Sequence, residues 1–240
     1  MKTLLVTGGT SGIGYSAAQA LAAEGHKVYI TGRDDARLQN AAIALGVTPI
    51  LCDNTDFAAA SAMAEQFKYD GIALDGVVLN AGIFYPRPFE LESQSNLELT
   101  INTNFAGPFM QLQALLPVLK NPASVVYISS IAATKAHPAC AAYAASKAAF
   151  EAAANVMNLE LAPKGIRINS IRPGVTLTEV QAKAGMTPEQ INELAESLKA
   201  IPAGRILSPD DIVPAVQYLL SDASSAMRAG CITVDGGFGL

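Results

Sequence analysis

Short apolar segments alternate with helix-like segments along the whole chain, and this alternation restricts the possible folds more than any other feature. The segments that we interpret as strands are residues 4–6, 27–31, 48–52, 74–79, a run ending at 129, 166–171 and 232–234. The segments between them with helical spacing are one ending at residue 24, then 34–45, 57–68, 94–119, 141–162, an insertion at 177–206 and one from residue 210. Strands separated by helices predict a parallel sheet covered on both faces. We therefore expect an α/β fold with a doubly wound parallel sheet of about seven strands.

Nothing in the sequence suggests a second domain. There is no internal repeat and no linker rich in proline or serine, so residues 1–240 are expected to form one domain. Residues 177–206 have no obvious partner in the sheet and directly follow a strand end. Ligands bind outside the carboxyl ends of strands in such sheets. We therefore interpret residues 177–206 as a substrate lid.

Charge and hydropathy exclude several classes of partner. The net charge of −5 gives no basic surface for nucleic acid. The longest stretch without charged residues, 99–119, is interrupted by polar residues and Pro117, so no membrane span is expected. The first apolar run is too short for a signal peptide.

The three cysteines, Cys52, Cys140 and Cys231, are widely spaced and show no metal-binding spacing. We interpret them as reduced core residues, which predicts a cytoplasmic protein without a metal.

A glycine-rich loop follows the first predicted strand and leads directly into a helix. Its sequence is Thr7-Gly8-Gly9-Thr10-Ser11-Gly12-Ile13-Gly14. Glycines allow a sharp turn and let a pyrophosphate approach the amide groups at a helix N-terminus. Glycine clusters also occur in ordinary turns. The order strand, loop, helix favours nucleotide binding.

Tyr143 and Lys147 are separated by one helical turn, and Ser130 lies at the end of a predicted strand. On a helix, this spacing places the phenol and the ammonium group on one face. A cation about 4 Å from a phenol contributes roughly 4 kcal/mol at an effective dielectric of 20, or about three pK units, so the phenol would titrate near neutrality. Taken alone, the pair is also compatible with two side chains that simply pack and solvate.

Polar residues follow several predicted strands on the ligand side. Asp53 follows the third strand, Asn80-Ala81-Gly82 follows the fourth, and Asn104 lies in the next helical region. Asp53 and Asn104 can each be explained as a cap or turn residue. Their shared location favours a common site.

Together these motifs resemble the short-chain dehydrogenase/reductase family, over essentially the whole chain. The matching motifs are Thr7-Gly8-x-x-x-Gly12-x-Gly14, Asn80-Ala81-Gly82, Asn104, Ser130, Tyr143-x-x-x-Lys147, Pro173-Gly174 and Asp235-Gly236-Gly237. The resemblance implies a Rossmann fold and a nicotinamide cofactor. It implies that Tyr143 is the general acid and base, that Lys147 lowers its pKa and holds the nicotinamide ribose, that Ser130 positions the substrate oxygen, and that Asn104 holds a water linked to Lys147.

The same resemblance implies the remaining cofactor contacts. Asp53 would meet the adenine, and Asn80, Ala81 and Gly82 would support the sheet edge and the ribose. The full set expected to bind the cofactor is Gly8, Thr10, Ser11, Gly12, Ile13, Gly14, Arg33, Asp53, Asn80, Ala81, Gly82, Tyr143, Lys147, Pro173, Gly174, Val175 and Thr178.

The end of the second strand favours NADP over NAD. In alignment with the family, the carboxylate that binds the adenosine ribose in NAD enzymes would fall at Gly32, and Arg33 follows directly. Thr31 and Arg33 would then form a phosphate pocket, although Ser11 offers no second cation. Asp34 and Asp35 are interpreted as N-cap and first-turn residues of the next helix.

The predicted pocket walls, near residues 84–89, 131–140 and 175–201, are mostly small and apolar, which favours a small uncharged ketone, aldehyde or secondary alcohol. His137 and Cys140 are interpreted as wall residues. Arg87 would either meet an acidic substrate group or be solvated.

The alanine-rich helix from residue 141 has more small apolar residues than one packed face requires, which predicts a homo-oligomer, a tetramer or dimer. Alternatives are an NAD-dependent dehydrogenase, a non-catalytic NAD(P)-binding redox sensor, and an epimerase or dehydratase of the same fold.

Overall fold

A computed structural model describes all residues, 1–240. Seven parallel strands form one sheet in the order β3-β2-β1-β4-β5-β6-β7. The strands are β1 (Thr3–Val6), β2 (Lys27–Gly32), β3 (Thr48–Leu51), β4 (Leu74–Leu79), β5 (Leu119–Ile128), β6 (Ile166–Pro173) and β7 (Cys231–Val234). This confirms the predicted doubly wound, Rossmann-type parallel sheet.

Nine α-helices connect and cover the strands. They are α1 (Gly12–Ala23), α2 (Asp35–Leu45), α3 (Phe57–Tyr69), α4 (Gln94–Ile101), α5 (Gly107–Leu115), α6 (Ala141–Glu160), α7 (Val180–Lys183), α8 (Pro188–Ser197) and α9 (Val213–Leu220). Asp34 caps α2 by accepting a hydrogen bond from the amide of Arg37 at 2.9 Å, and Gly46 ends this helix with a φ of 65°. Asp34 and Asp35 thus have the cap and first-turn positions that the sequence predicts.

The hydrophobic core has two halves, one on each face of the sheet. Successive residues of a strand point to opposite faces, so Leu4 and Val6 join one half and Leu5 joins the other. Helices α1, α2 and α9 cover the first face, and α3, α5 and α6 cover the second. Phe150 of α6 is fully buried and stacks on Tyr127 of β5 with ring centroids 4.1 Å apart. The helix that contains Tyr143 and Lys147 is therefore anchored to the centre of the sheet.

The prediction of one continuous helix over residues 94–119 is wrong, because the helix is interrupted and ends before residue 119. Between α4 and α5 the chain forms a π-helical turn at Asn102–Ala106, and β5 already begins at Leu119. Pro108 has no N–H to offer the carbonyl of Asn104 four residues earlier, and that carbonyl instead accepts a hydrogen bond from the Tyr127 hydroxyl at 2.9 Å. The break in the helix thus has a local cause, Pro108, and a distant one, the hydroxyl of Tyr127, and it fixes the position of Asn104.

The strand order reverses at β1, which lies between β2 and β4. The glycine-rich loop leaves the carboxyl end of β1, and Asn80-Ala81-Gly82 leaves the adjacent end of β4. In an open parallel sheet this switch point forms the ligand crevice. The predicted nucleotide residues are therefore gathered at one edge.

Residues 177–206 form an excursion whose two ends meet. The amide of Leu177 donates to the carbonyl of Leu207 at 2.8 Å, and Thr176 forms a parallel bridge with Leu207. Helix α8, within the excursion, has no fully buried residue. The segment is closed at its base, and its helix α8 packs lightly on the rest of the chain, whereas Gln181 and Leu198 at either side of α8 are buried.

None of the helices has both the length and the apolar character that crossing a bilayer requires.

The three cysteines are free, but only Cys52 is buried. Cys231 is exposed because it lies on β7, the last strand of the sheet. The expectation that all three are core residues is wrong for Cys231.

Candidate active site

The glycine-rich loop is held from below by Thr7 and Asn80. The Thr7 hydroxyl accepts hydrogen bonds from the amides of Asn80 and Ala81, both at 3.0 Å. In return, Asn80 Nδ2 donates to the carbonyls of Thr7 and Gly8, at 2.9 and 3.1 Å. These four bonds join the ends of β1 and β4, so the loop has one fixed shape.

The loop presents free amide groups at the start of α1. Ser11, the N-cap residue, makes no side-chain capping bond, and the amides of Gly12, Ile13 and Gly14 donate to no protein acceptor. A Cβ at Gly14 would lie 2.4 Å from Asn80 Nδ2, so this position requires glycine. Free amides at the N-terminus of a 12-residue helix bind anions, and the arrangement fits the pyrophosphate of a dinucleotide.

The adenosine side of the crevice contains Thr10, Gly32 and Arg33. A Cβ at Gly32 would lie 2.7 Å from Thr10 Cγ2, so an acidic side chain at this position would displace Thr10. The Arg33 side chain is exposed and forms neither a hydrogen bond nor an ion pair. Thr31 is 2% exposed and its hydroxyl accepts from the Gly8 amide at 3.3 Å, which leaves its own O–H as a donor. The phosphate pocket of Thr31 and Arg33 stays a prediction.

Asp53 lies at the end of β3 and closes its own turn. Its Oδ1 accepts from the amide and the hydroxyl of Thr55, both at 2.8 Å. This arrangement matches the turn interpretation of Asp53. Its contact with an adenine stays a prediction.

Lys147 is a buried cation without a carboxylate partner. Its side chain lies on α6, the residue is 4% exposed, and Nζ donates to the carbonyl of Ile128 at 2.8 Å. Nζ lies 5.8 Å from the ring centroid of Tyr143 and 5.0 Å from that of Tyr127. Burial lowers the pKa of Lys147 to about 8, and the charge of Glu151 opposes that shift. Glu151 itself pairs with Arg172, whose Nε donates to it at 3.0 Å.

Tyr143 is one helical turn from Lys147, as the sequence predicts, and Phe84 packs edge-on against its ring at 4.9 Å between centroids. Burial raises the pKa of Tyr143 to about 12, and hydrogen bonding with Ser130 opposes the rise. The expectation that the phenol titrates near neutrality is therefore wrong for the protein without ligands, because burial raises its pKa more than the hydrogen bond with Ser130 lowers it.

Asn104 is tied into the site by all of its polar side-chain groups. Its Oδ1 accepts from the amide of Ile83 at 2.8 Å, and its Nδ2 donates to the carbonyl of Ile83 and the hydroxyl of Ser146, at 2.9 and 3.1 Å. Ser146 in turn donates to the carbonyl of Tyr143 at 2.7 Å. Asn104 is thus bonded to the helix of Tyr143 through Ser146.

Ser130 lies just after β5, at the start of a short helical turn, where its hydroxyl accepts from the amide of Ala132 at 3.2 Å.

Gly174 follows the neighbouring strand β6, and a Cβ at this position would lie 2.7 Å from the Cα of Asp235. The neighbouring residues Pro173 and Val175 lie on the path to the excursion 177–206. The hydroxyl of Thr178 accepts from the amide of Val180 at 3.1 Å.

Thr178 lies over the glycine-rich loop. A Cβ at Gly12 would lie 3.2 Å from Thr178 Cγ2, and the φ of Gly12 is 56°. The structure therefore brings the excursion 177–206 against the predicted phosphate site, which is a contact that chain order alone does not predict.

Three residues of the site were not predicted from the sequence: Thr7, Tyr127 and Ser146. Thr7 and Ser146 lie inside motifs that were identified, and both are polar side chains at positions that the sheet and α6 bury. That combination of a short polar side chain and predicted burial was the available signal. Nothing in the sequence indicates that Tyr127 bonds to Asn104.

Comparisons with known proteins agree with this geometry. A family model described as "Enoyl-(Acyl carrier protein) reductase" matches residues 8–239. The chain is 33% identical to the 3-oxoacyl-[acyl-carrier-protein] reductase FabG of Chlamydia trachomatis, over 98% of the chain and 96% of that protein. It is also 33% identical to the galactitol 2-dehydrogenase of Agrobacterium fabrum, with the same coverage. A solved structure of levodione reductase superposes with a TM-score of 0.91 at 27% identity, covering 98% of this chain and 96% of that one.

Proposed function

The chain belongs to the short-chain dehydrogenase/reductase family, and on that premise we propose that it is an NADP(H)-dependent reductase of a small carbonyl compound, with Tyr143 as general acid and base. By its family it is an NAD(P)-dependent oxidoreductase that acts on CH–OH and C=O groups. The choice of NADP, the role of Tyr143 and the class of substrate are the parts that we propose.

The observation that carries the proposal is the unpaired ammonium group of Lys147 beside Tyr143. A buried cation without a partner is costly, and evolution retains such groups mainly at functional sites. Here the cation is 4% exposed, bonds to one backbone carbonyl and lies 5.8 Å from the ring of Tyr143. An anion formed on Tyr143 during reaction would offset its charge. Lys147 thus stabilises the product of proton transfer more than the resting phenol.

When bound, the cofactor would supply the hydride that reduces the carbonyl carbon, with its pyrophosphate held by the free amides of Gly12, Ile13 and Gly14. Tyr143 gives its phenolic proton to the carbonyl oxygen, so C=O becomes CH–OH and Tyr143 is left as phenolate. Lys147 stabilises this phenolate, and Ser130 donates a hydrogen bond that orients the substrate oxygen. A proton from solvent then restores the phenol. With a pKa of about 12, Tyr143 is protonated at neutral pH, which is the form that reduction requires.

Support for NADP comes from Gly32 and Arg33. The Cβ of an aspartate or glutamate at position 32 would lie 2.7 Å from Thr10 Cγ2, whereas Arg33 is exposed and has no protein partner. A guanidinium group binds a phosphate with two parallel hydrogen bonds. Since Thr31 is 2% exposed and Arg33 is exposed, Arg33 would supply the main contact to the 2′-phosphate.

We also propose that residues 177–206 act as a lid over the substrate within one domain of residues 1–240. The light packing of α8 and the contact of Thr178 with the phosphate loop support this role. The walls near Tyr143 consist mainly of small apolar side chains, which suits an uncharged reacting end of the substrate.

An apolar face on α6 supports the proposal of a homo-oligomer. Ala145 and Ala152 are exposed there, as are Val156 and Leu159, at 55% and 79%. A contiguous exposed apolar patch of this kind is typical of an interface. Light scattering coupled to size exclusion should give a dimer or tetramer for the wild type and a smaller species for Leu159→Glu.

The test of the proposed function is turnover of ketones and aldehydes, followed by the absorbance of NADPH and of NADH. Wild type should oxidise NADPH with at least part of a broad panel, and Tyr143→Phe should not. Tight cofactor binding without any turnover would instead indicate a nucleotide-binding sensor. Equal turnover by both proteins would remove Tyr143 from the mechanism.

A further inference from the structure

We propose that the substrate carries a carboxylate at the end away from its carbonyl group, and that Arg87 and Lys135 bind this carboxylate in a cavity beside Tyr143. The proposal rests on the proposed function and adds a substrate class to it: small oxo acids, or the corresponding hydroxy acids. It concerns only the far end of the substrate, because the walls at the reacting end are apolar.

The cavity has a volume of about 390 Å³, within the range of small-molecule sites. Much of its wall comes from the segment between Ser130 and Tyr143, including Ala132, Ala133 and Ala136, and Phe89 adds an aromatic side chain. These groups suit a short hydrocarbon chain. The cavity is thus apolar along its wall, with charge supplied by a few residues.

The charged groups of the cavity are cations only. Arg87 and Lys135 line it, and no aspartate or glutamate does. Neither residue belongs to any of the nine ion pairs of the structure. The Asp235 carboxylate is close by: its Oδ1 accepts from the amide of Gly237 at 2.9 Å, and its Oδ2 faces Lys135 from just beyond ion-pair distance, since both flank Gly239. Arg87 forms no ion pair, so the two cations and this one carboxylate leave an excess of positive charge that attracts an anion.

Lys135 keeps donors available for such an anion. Its Nζ donates to the carbonyl of Gly239, which uses one of three N–H groups. The side chain of Arg87 makes no hydrogen bond at all, whereas its backbone amide donates to the carbonyl of Ala139 at 2.8 Å. The backbone contact holds Arg87 at the cavity while leaving its guanidinium group free for a carboxylate.

Two details of the surrounding loop point in the same direction. His137, another lining residue, has a buried Nε2 atom without any hydrogen-bond partner. Buried polar atoms are rarely left unpaired, so this nitrogen marks a point where the cavity wall is incompletely satisfied in the ligand-free protein. Ala139 has a φ of 61°, a strained value for a residue with a side chain. The strain occurs at the residue whose carbonyl holds the amide of Arg87.

The position of the cavity relates it to the reacting groups. Ala144, the residue after Tyr143, lines the cavity, and Phe84, three positions before Arg87, packs on the ring of Tyr143 at 4.9 Å. The same two loops therefore contact Tyr143 and form the cavity. A substrate whose carbonyl lies at Tyr143 has this cavity as the place for its remaining chain.

The decisive measurement compares oxo acids with their methyl esters, which lack the negative charge and carry one additional methyl group. The panel is 4-oxopentanoate, 5-oxohexanoate and 6-oxoheptanoate, each paired with its ester, with NADPH as cofactor. For at least one chain length, wild type should show kcat/KM at least about 10-fold higher for the acid, which is the order of one charge-assisted hydrogen bond. In Arg87→Gln and in Lys135→Gln this ratio should fall toward one, mainly through KM.

Lys68→Gln is the matched control, because it removes an exposed cation of α3 and should keep the wild-type ratio. A ratio near one in the wild type, with measurable turnover of esters, would overturn the proposal. So would a high ratio that both cavity variants preserve. Failure of the proposed function looks different, since no compound of either class would then be turned over, or Tyr143→Phe would match the wild type.

A binding experiment covers the case in which no panel member is turned over. Titration calorimetry with hexanoate and with hexanamide, on protein saturated with NADP⁺, should show binding of hexanoate only, weakened by salt and by either cavity variant. Equal affinity for the two compounds, or no binding of hexanoate, would contradict the carboxylate site. Circular dichroism of each variant confirms that the fold is retained.

Discussion

Helix α6 and the edge formed by α2 and the lid hold their functional groups in opposite ways. The α6 helix buries six of its 20 residues, including Ser146 and Lys147, and Asn158 bonds it to β6 through the backbone of Ile168. The α2–lid edge, which we define as Arg33, Arg37, Glu179 and Lys183, is exposed. Its main link is the ion pair of Arg37 with Glu179, at 2.6 Å between Nη2 and Oε2.

This difference separates two tasks of the molecule. Proton transfer requires fixed geometry, and buried hydrogen bonds on α6 supply it. Binding and release of ligands require a surface that opens, and exposed ion pairs are weak enough to break, at about 1 kcal/mol or less each. We therefore expect changes on α6 to affect kcat strongly, and changes at the α2–lid edge to affect mainly KM.

The largest effect is expected for Tyr143→Phe, which removes the proton donor and keeps the ring that packs on Phe84. General acid catalysis contributes about 10² to 10⁴ in rate, so kcat should fall by roughly 10³-fold. The dissociation constant for NADPH, measured by fluorescence, should change by less than about 3-fold. Tyr218→Phe, on the exposed side of α9, is the control and should retain full activity. A decrease in kcat of less than about 10-fold would contradict the proposal that α6 holds the proton donor of the reaction.

Lys147→Met should lower kcat by roughly 10²-fold, because the phenolate formed on Tyr143 would lose its stabilising charge. In the wild type, reduction should also slow as pH rises through about 8, the pKa of Lys147 in the folded protein. The variant should lack this alkaline limb in its pH–rate profile. An alkaline limb that persists unchanged in the variant would assign that titration to another group.

The same substitution should also change the pH dependence of stability. Because the pKa of Lys147 is about 8 when folded, against an ordinary value of 10.5, the unfolded state binds more protons between these pH values. The free energy of unfolding of the wild type should therefore rise relative to Lys147→Met by roughly 2–3 kcal/mol between pH 8 and pH 10.5. Urea titrations at several pH values measure this difference. A difference in the free energy of unfolding that stays constant with pH would show that burial does not lower the pKa of Lys147.

Arg33→Ala tests the exposed edge. Loss of a charged hydrogen bond to the 2′-phosphate costs about 1.5–3 kcal/mol, so KM for NADPH should rise by about 10-fold or more. The value of kcat should stay within about 2-fold, and KM for NADH, which has no such phosphate, is the internal control. Equal increases for both cofactors would contradict the proposed phosphate contact.

The smallest effect is expected for Glu179→Gln, which removes the ion pairs with Arg37 and Lys183. The pair groups are about half exposed, so the free energy of unfolding should change by less than about 1 kcal/mol. A more mobile lid should raise KM for the carbonyl substrate by about 2- to 3-fold without lowering kcat. Gln66→Glu, on α3, provides a control for a single charge change elsewhere.

Much of the fold could be predicted from the sequence because strand and helix signals were local. The glycine loop, Asn80, Ser130 and Tyr143 follow strand ends or helical spacing, and a parallel sheet brings strand ends to one edge whatever the loops do. The break at residues 102–106 was not predicted, since it depends on the hydroxyl of Tyr127 reaching the carbonyl of Asn104 across the fold.

The limits of prediction at the site have the same origin. The pKa of Tyr143 was underestimated because a helical spacing gives the distance to Lys147 but not the burial of the phenol. The sequence left open whether Arg87 meets an acidic group or is solvated, and only the packing of two loops places it in one cavity with Lys135. Each of these features depends on contacts between distant segments.

The contact between Thr10 and Gly32 has a consequence for how cofactor choice can change by mutation. Because a Cβ at position 32 would lie 2.7 Å from Thr10 Cγ2, Gly32→Asp on the present background introduces a clash together with the new carboxylate. A smaller residue at position 10 removes that clash. The two positions are therefore coupled: under the proposed preference for NADP, an acidic residue at position 32 should be better tolerated once Thr10 has been replaced by a smaller residue.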